Sequence, residues 1–339
     1  MFFRLLRHSF ISRKHTRAHT PLANNFYLNT FGHNVRPPST LLPGQANVTQ
    51  QGYEDLSIAL MTELWTEFGD LEEIWLDGGC GDLCNRVNAL VKTTKAANAV
   101  AFNGGGGTSE NPVRWCGTEG GSPPGWPTIW STTTCGWCPD GSGSGSPPNS
   151  TNAAWYPSGV DVTLQAGDRW FYTPGDSLNS LATLASFYHK SVGANGHLEI
   201  DFAVSRTGEL DPLHSAAYAE FGAWIAACYG GTPVASLFLA PGTDSLTLQT
   251  PPGVLVDRVV MKEDLTGGQM VVSYLVEVEV GGSWSTFSSG VTIGSKRIDV
   301  GVAHAGVTGI RLTINEAYEP GHAGVTLQAF SGSGCATNN

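Results

Sequence analysis

The sequence predicts a chain that is α/β up to about residue 230 and all-β from 231 to 339. Two observations carry this reading. Between residues 53 and 230, amphipathic stretches of helical period alternate with short apolar runs, the pattern of helices between parallel strands. From residue 231 the helical spacing disappears, and short alternating runs parted by Gly and Ser turns replace it, which predicts an antiparallel β-sandwich. The division is therefore an atypical basic segment at 1–20, a β/α domain at 21–230 and a β-sandwich at 231–339.

Taken in order, the first segment, MFFRLLRHSFISRKHTRAHT, carries Arg4, Arg7, Arg13, Lys14 and Arg17, and the first acidic residue is Glu54. It reads equally as an organelle transit peptide or as sequence read through from upstream of a missing exon. Arg7 and His8 interrupt the apolar run that a secretory signal would need. Residues 21 to 50 are broken by Pro21, Pro37, Pro38 and Pro43 and predict loop. YEDLSIALMTELWTEF predicts a helix, with Leu56, Leu60, Leu64 and Phe68 at helical spacing and Ile58, Met61 and Trp65 widening the apolar face. EEIWLDGG is too short for a helix and suits a strand buried on both faces.

DLCNRVNALVKTT then predicts a helix, and ANAVAFNG and NPVRW predict strands. A long Gly-, Ser-, Pro- and Thr-rich stretch reaches to Asn152, the length of a lid or binding loop. VDVTL, SLNSLATLASFYHKSV, HLEIDFAV and SAAYAEFGAWIAACYG complete a strand, helix, strand, helix series. The later runs SLTLQT, VDRVVMKED, VVSYLVEVEV, SWSTF, KRIDVGV, GIRLTI and GVTLQAF are the predicted sandwich strands.

Composition narrows the function. A net charge of −11 with only 14% charged residues argues against a nucleic-acid partner and suits neutral, hydroxyl-rich substrates. No run of about 18 apolar residues offers a membrane span. The seven cysteines and the sequons at Asn47 and Asn149 lean towards a secretory route. Cys135 and Cys138 form a C-x-x-C that, with Cys116 and a histidine, could be read as a zinc site, but no second such motif accompanies it, and a local disulfide or free thiols is the preferred reading. Neither a metal nor a cofactor is expected.

A parallel β/α series delivers functional side chains at the C-terminal ends of its strands. Asp77 and Glu119 occupy such ends, beside loops that carry tryptophans at 115, 126, 130, 137, 155 and 170. Paired carboxylates with aromatic faces are the equipment of a glycosidase. On residue type alone, however, an Asp before Gly-Gly is more often a turn former, and a Glu in a glycine-rich loop more often a solvated charge.

LMTELWTEFGDLEEIWLDGG resembles the helix and nucleophile strand of family 29 α-L-fucosidases, whose general forms are TELxxxYG and EIWxDG. RWCGTEGG is similar to the RWxGNExG stretch of the subgroup that cleaves α-1,3/4 linkages. YPSGVDVTLQAGDRWFYTP and SVGANGHLEIDFAVSRTGELD resemble two later segments, and VDRVVMKEDLTGGQMVVSYLVEV followed by TIGSKRI resembles the accessory sandwich.

The resemblance implies a partial (β/α)8 TIM-type barrel followed by a C-terminal antiparallel β-sandwich. It implies retaining hydrolysis of α-linked L-fucose from an oligosaccharide or glycoprotein glycan, with Asp77 as nucleophile and Glu119 as acid/base, about 5–5.5 Å apart. Trp115, Asp161 and Trp170 are the implied substrate-site residues. An extracellular, lysosomal or vacuolar location is what the family suggests.

The family's paired-histidine segment has no counterpart ahead of Asp77, so the resemblance implies that the chain begins inside the barrel domain, with an open parallel edge and half of the core exposed. The alternative reading is accordingly an inactive remnant or a carbohydrate-binding protein. Gly159 stands where the family has Glu, Gln165 and Ala166 replace an Arg-Pro pair, and Glu199 and Asp201 occupy positions expected to be apolar and amide. His33, His189 and His197 are candidate substitute sugar ligands, although lone histidines are more often satisfied structural groups.

Overall fold

The computed structural model describes residues 49–67, 71, 73–75, 83–94, 99–102, 111–115, 119–122, 158–266, 268–318, 321–332 and 334–336. The first half of the fold is a five-stranded parallel sheet in sequential order, formed by β1 (Glu73–Trp75), β2 (Val100–Phe102), β3 (Asn111–Trp115), β4 (Ser158–Thr163) and β5 (Gly196–Asp201). The helices are α1 (Gln50–Glu67), α2 (Cys84–Thr93), α3 (Leu181–Ser191) and α4 (Pro212–Tyr229). None of them is long and apolar enough to cross a membrane.

Strand alternation decides which residues face the helices. In β4 and β5 one row reads Val160, Val162 and then Leu164, and the other Leu198, Ile200 and then Phe202, all buried. This row packs against Leu184 and Tyr188 of α3 and Tyr218, Phe221 and Trp224 of α4, in one core with Val260, Ile298 and Phe330 of the second sheet. Each such side chain contributes about 1.5–3 kcal/mol by leaving water. The intervening residues, Gly159, Asp161 and Thr163 beside His197, Glu199 and Asp201, form the opposite face. A second core joins Met61 and Trp65 of α1, Ile74 of β1, and Val87 and Val91 of α2.

Local signals set the helix ends. The Ser180 hydroxyl caps α3 by accepting from the Thr183 amide at 3.1 Å. Asp211 caps α4 by accepting from the Leu213 amide at 2.8 Å, with Pro212 in the first turn. Helix α1 differs from the sequence expectation in rotation: its buried stripe is Tyr53, Ser57, Met61 and Trp65, while Leu56 is 43% exposed. The bulkiest side chains, Met61 and Trp65, take the core, and Ser57 fits the same stripe because its hydroxyl donates to the Tyr53 carbonyl at 2.9 Å.

The second half is one six-stranded antiparallel sheet of β6 (Ala235–Leu239), β7 (Ser245–Glu263), β8 (Val271–Val280), β9 (Ser283–Gly290), β10 (Arg297–Ala317) and β11 (Val325–Phe330), in the order β6-β11-β7-β10-β8-β9. SLTLQT and VDRVVMKE, read separately in the sequence, are one strand, as are KRIDVGV and GIRLTI. Register shifts between Val300 and Gly309 absorb the irregular middle of β10. Gly281 and Gly282, both at positive φ, make the tight turn between β8 and β9.

The two halves are joined by specific contacts. Asn195, at a φ of 64°, accepts through Oδ1 from the Ser295 amide at 2.7 Å and the Ser295 hydroxyl at 2.6 Å. Its Nδ2 donates to Gln269 at 3.2 Å, and the Ile298 amide donates to the Gly193 carbonyl at 2.8 Å. A disulfide links Cys228 at the end of α4 to Cys335 beyond β11. Closing a loop of 107 residues removes chain entropy from the unfolded state, worth about 4–5 kcal/mol in the simplest treatment.

Between α3, α4 and the second sheet lies a polar aromatic cluster. The Lys296 ammonium donates to the Tyr188 hydroxyl at 2.8 Å, and His189 Nε2 lies 2.6 Å from the Tyr229 hydroxyl. Arg258, fully buried, donates to Asp257 at 2.6 Å and lies over the Tyr229 ring. Burial, with Arg258 and Lys296 nearby, lowers His189 to about 4, and burial pushes Tyr188 up to about 12. His189 is thus a structural imidazole on the helix side of the sheet.

The unfolded chain takes up a proton on His189 near pH 6.5 that the folded chain refuses until about pH 4. The stability associated with neutral His189 is therefore complete above pH 6.5 and is lost as the pH falls towards 4. The melting temperature should decline over this range, and His189→Gln, which keeps a partner for Tyr229 without titrating, should flatten that decline. An unchanged slope in the variant would remove His189 from the account.

Candidate functional site

Parallel strands bring their C-terminal ends to one edge of the sheet, and the loops that leave that edge are where sites are built. Glu119 lies in such a loop, four residues past β3, and is exposed. The loop is seated against α3 at Gly121, where φ is 71° and an added Cβ would stand 2.3 Å from the Phe187 ring. Only glycine permits both the backbone turn and this approach.

Trp170 lies in the loop after β4 and is half-buried. Gln165, 1% exposed, organises that loop. Its amide donates to the carbonyls of Arg169 at 2.8 Å and Phe171 at 2.9 Å, and its Oε1 accepts from the Thr173 amide at 3.0 Å. Asn179 donates to the Thr163 carbonyl at 2.8 Å, and the Tyr172 hydroxyl donates to Asp211 at 2.9 Å. Gln165 thus supplies a side chain that ties the loop to the strand end. Sequence reading did not find this role, because the three groups that the Gln165 side chain bonds are all backbone atoms of a loop without periodicity.

Asp161 occupies the middle of β4, buried and in register with Glu199 of β5. Glu199 and Asp201 are each 3% exposed, and the expectation that a carboxylate lies buried in this strand holds. Glu73 of β1 is also buried, and its Oε2 lies 3.2 Å from His197 Nε2. Glu199 Oε1 lies 3.9 Å from the same nitrogen. In a flat sheet, four interstrand steps of about 4.8 Å would separate β1 from β5 by about 19 Å. The contact therefore requires a strongly curled sheet, with its polar face inside the curl. Side chains of the first and last strands meet across the inner face, while among the described strands β1 and β5 each keep one unpaired edge.

The inner face thus brings together Glu73, Asp161, His197, Glu199 and Asp201. Glu119 and Trp170 belong to loops at the C-terminal rim, and Trp115 ends β3 with its backbone in register with Gly159. Asp77 lies outside the described residues, as do His33 and the C-x-x-C at Cys135 and Cys138.

No protein-family model matches the chain. A candidate α-L-fucosidase 1 of Oryza sativa subsp. japonica is 26% identical over 290 residues, covering 73% of this chain and 54% of the relative. The α-L-fucosidase 1 of Arabidopsis thaliana is 23% identical over 333 residues, covering 83% of this chain and 63% of the relative. The chain therefore spans between about half and two thirds of the length of these curated relatives. A solved structure of a candidate α-L-fucosidase from Bacteroides thetaiotaomicron is 26% identical, with a TM-score of 0.65, over 85% of this chain and 68% of that one. A Ruminococcus gnavus family 29 fucosidase, solved in complex with fucose, shares the fold at 16% identity with a TM-score of 0.67, over 90% of this chain and 70% of that one. The homologues and structural neighbours are α-L-fucosidases of glycoside hydrolase family 29.

Gly121→Ala should displace the loop that carries Glu119, at a cost of about 1–3 kcal/mol for a side chain at positive φ, measured by urea unfolding. Phe187→Ala in the same chain should relieve the steric part only, so the two changes should be less than additive.

Proposed function

We propose that this chain is an α-L-fucosidase that hydrolyses α-linked L-fucose from oligosaccharides or glycoprotein glycans with retention of configuration. The observation that carries the reading is the ordered set of segments, EIWLDGG, RWCGTEGG, VDVTLQAGDRWFY and HLEIDFAV, whose described strands align in one parallel sheet. The relatives and neighbours named α-L-fucosidases support it. The α-1,3/4-linkage subgroup is our preferred placement, on the RWCGTEGG stretch.

In this reading Asp77 attacks the anomeric carbon while Glu119 protonates the departing oxygen, giving a glycosyl-enzyme. Glu119 then takes a proton from water as the water attacks the same carbon, and Asp77 is released. Trp170 and Trp115 present aromatic faces to the sugar, and Asp161 supports the pocket from the inner face. No cofactor is required.

The second reading is glycan binding without turnover, by an inactive remnant. It is favoured by the crowding of the inner face, where side chains of β1 and β5 meet. The two readings separate in one assay. Wild-type chain should release fucose from an aryl α-L-fucoside, and Asp77→Ala should abolish release while leaving the circular dichroism spectrum unchanged.

Glu119→Ala should slow hydrolysis of natural glycans by about 10²–10⁴-fold, affect activated aryl fucosides less in the first step, and recover turnover with added azide. Fucose binding by calorimetry with no release by wild type would establish the second reading. Full activity in Asp77→Ala would overturn the assignment of the nucleophile.

A further inference from the structure

We propose that Glu73, His197 and Glu199 form a binding site for a divalent transition-metal cation of the zinc type, which clamps the first strand of the parallel sheet to the last. The three ligand atoms, one from each side chain, all lie within 4.8 Å of one another. Glu73 Oε2 and His197 Nε2 are 3.2 Å apart, and His197 Nε2 and Glu199 Oε1 are 3.9 Å apart.

Ligand atoms around a tetrahedral zinc with bonds of about 2.0–2.1 Å stand about 3.3–3.4 Å from one another. The first pair already has that spacing. The second needs a closure of about half an ångström, within reach of a glutamate side-chain rotation. One imidazole with two carboxylates is a zinc-type donor set, and water would complete the coordination.

The surroundings match such an ion in access and rigidity. The two carboxylate side chains are 7% and 5% exposed, whereas that of His197 is 37% exposed and gives the cation a way in. Glu199 is fixed by the β4 to β5 ladder, and the start of β5 is fixed by Asn195, which is bonded to Ser295 and Gln269 of the second half. Glu73 reaches the group from a strand at the opposite edge of the sheet. An ion held there cross-links two strands that are not neighbours, so its effect is on the curl of the sheet rather than on a bond in a substrate.

The site lies at the start of β1 and in the middle of β5, short of the C-terminal rim that carries the proposed catalytic carboxylates. It stands or falls independently of fucose hydrolysis, and its readouts are binding and stability.

The test is a titration of the chelator-treated full chain with Zn²⁺ by calorimetry, with thermal melts in parallel. Wild type should bind one equivalent that His197→Ala and Glu199→Gln lose, or bind at least tenfold more weakly. Cys135→Ser/Cys138→Ser should retain it. Zn²⁺ should raise the melting temperature of wild type but not that of His197→Ala. Zn²⁺ binding by both single variants equal to wild type, or no binding by wild type, would overturn the proposal. Should His197→Ala fail to fold, the Co²⁺ spectrum of wild type decides. A visible spectrum without a thiolate charge-transfer band supports the nitrogen and oxygen site, and a cobalt complex showing only thiolate character refutes it.

Discussion

The arrangement of the first half depends on the curl of a five-stranded parallel sheet, and the contact between Glu73 and His197 measures that curl. Strands that would lie about 19 Å apart in a flat sheet place side-chain atoms 3.2 Å apart. Twist alone does not bring the edges of a sheet together. The apolar rows of β4 and β5 must be covered by α3 and α4, so the helices sit outside and the polar row faces in. A cluster of buried carboxylates is then a consequence of alternation: the same six-residue strand that buries Leu198 and Ile200 outward must place His197, Glu199 and Asp201 inward.

The antiparallel half holds this geometry from outside. Asn195 precedes His197 by two residues, and its bonds to Ser295 and Gln269 determine where β5 begins. The disulfide from Cys228 to Cys335 holds the end of α4 against the same sheet, and Trp224 adds a bond from its indole to the Gly334 carbonyl at 3.0 Å. The buried ion pair of Arg258 and Asp257 is satisfied further by the Cys228 carbonyl and the Gly332 amide. Such a pair adds little net stability against an apolar replacement, but breaking one partner is costly, so it favours one docking arrangement over others. Interface chemistry and inner-face position are thereby linked through the few residues between α3 and β5.

Much of this was legible in the sequence, for reasons specific to each element. HLEIDF and VDVTLQ alternate and read directly as strands, whereas the helices read from Ser177 and Ser215 begin at Leu181 and Pro212, where the Ser180 and Asp211 caps set their starts. The α1 stripe was placed on the leucines because period alone does not rank faces, and the bulk of Met61 and Trp65 decided the rotation. SLTLQT and VDRVVMKE read as two strands because Pro251, Pro252 and Gly253 interrupt them, yet one long strand carries both through that interruption. Glu199 and Asp201 were marked as departures from a family pattern, but their meeting with Glu73 was not visible. Contacts between strands remote in sequence are written in the curl of the sheet, and no local motif encodes it. The link of Cys228 to Cys335 escaped for the same reason.

The inner carboxylates also bear on the chemistry at the rim. If fucose is cleaved through an oxocarbenium-like transition state, the sugar ring gains positive charge as the bond breaks. The buried carboxylates of the inner face, Asp161, Glu199 and Asp201 among them, would act on that charge more strongly in their ionised form than they would in water, because the setting is poorly solvated. The same burial penalises their charged form, so their influence depends on what neutralises them when no sugar is bound. A cation held by Glu73, His197 and Glu199 would offset part of that charge at the level of Glu199 and its register partner Asp161, and leave Asp201 nearer the C-terminal end of β5. Charge would then be graded along the inner row of β5, with the apolar outer row of the strand kept as the helices require.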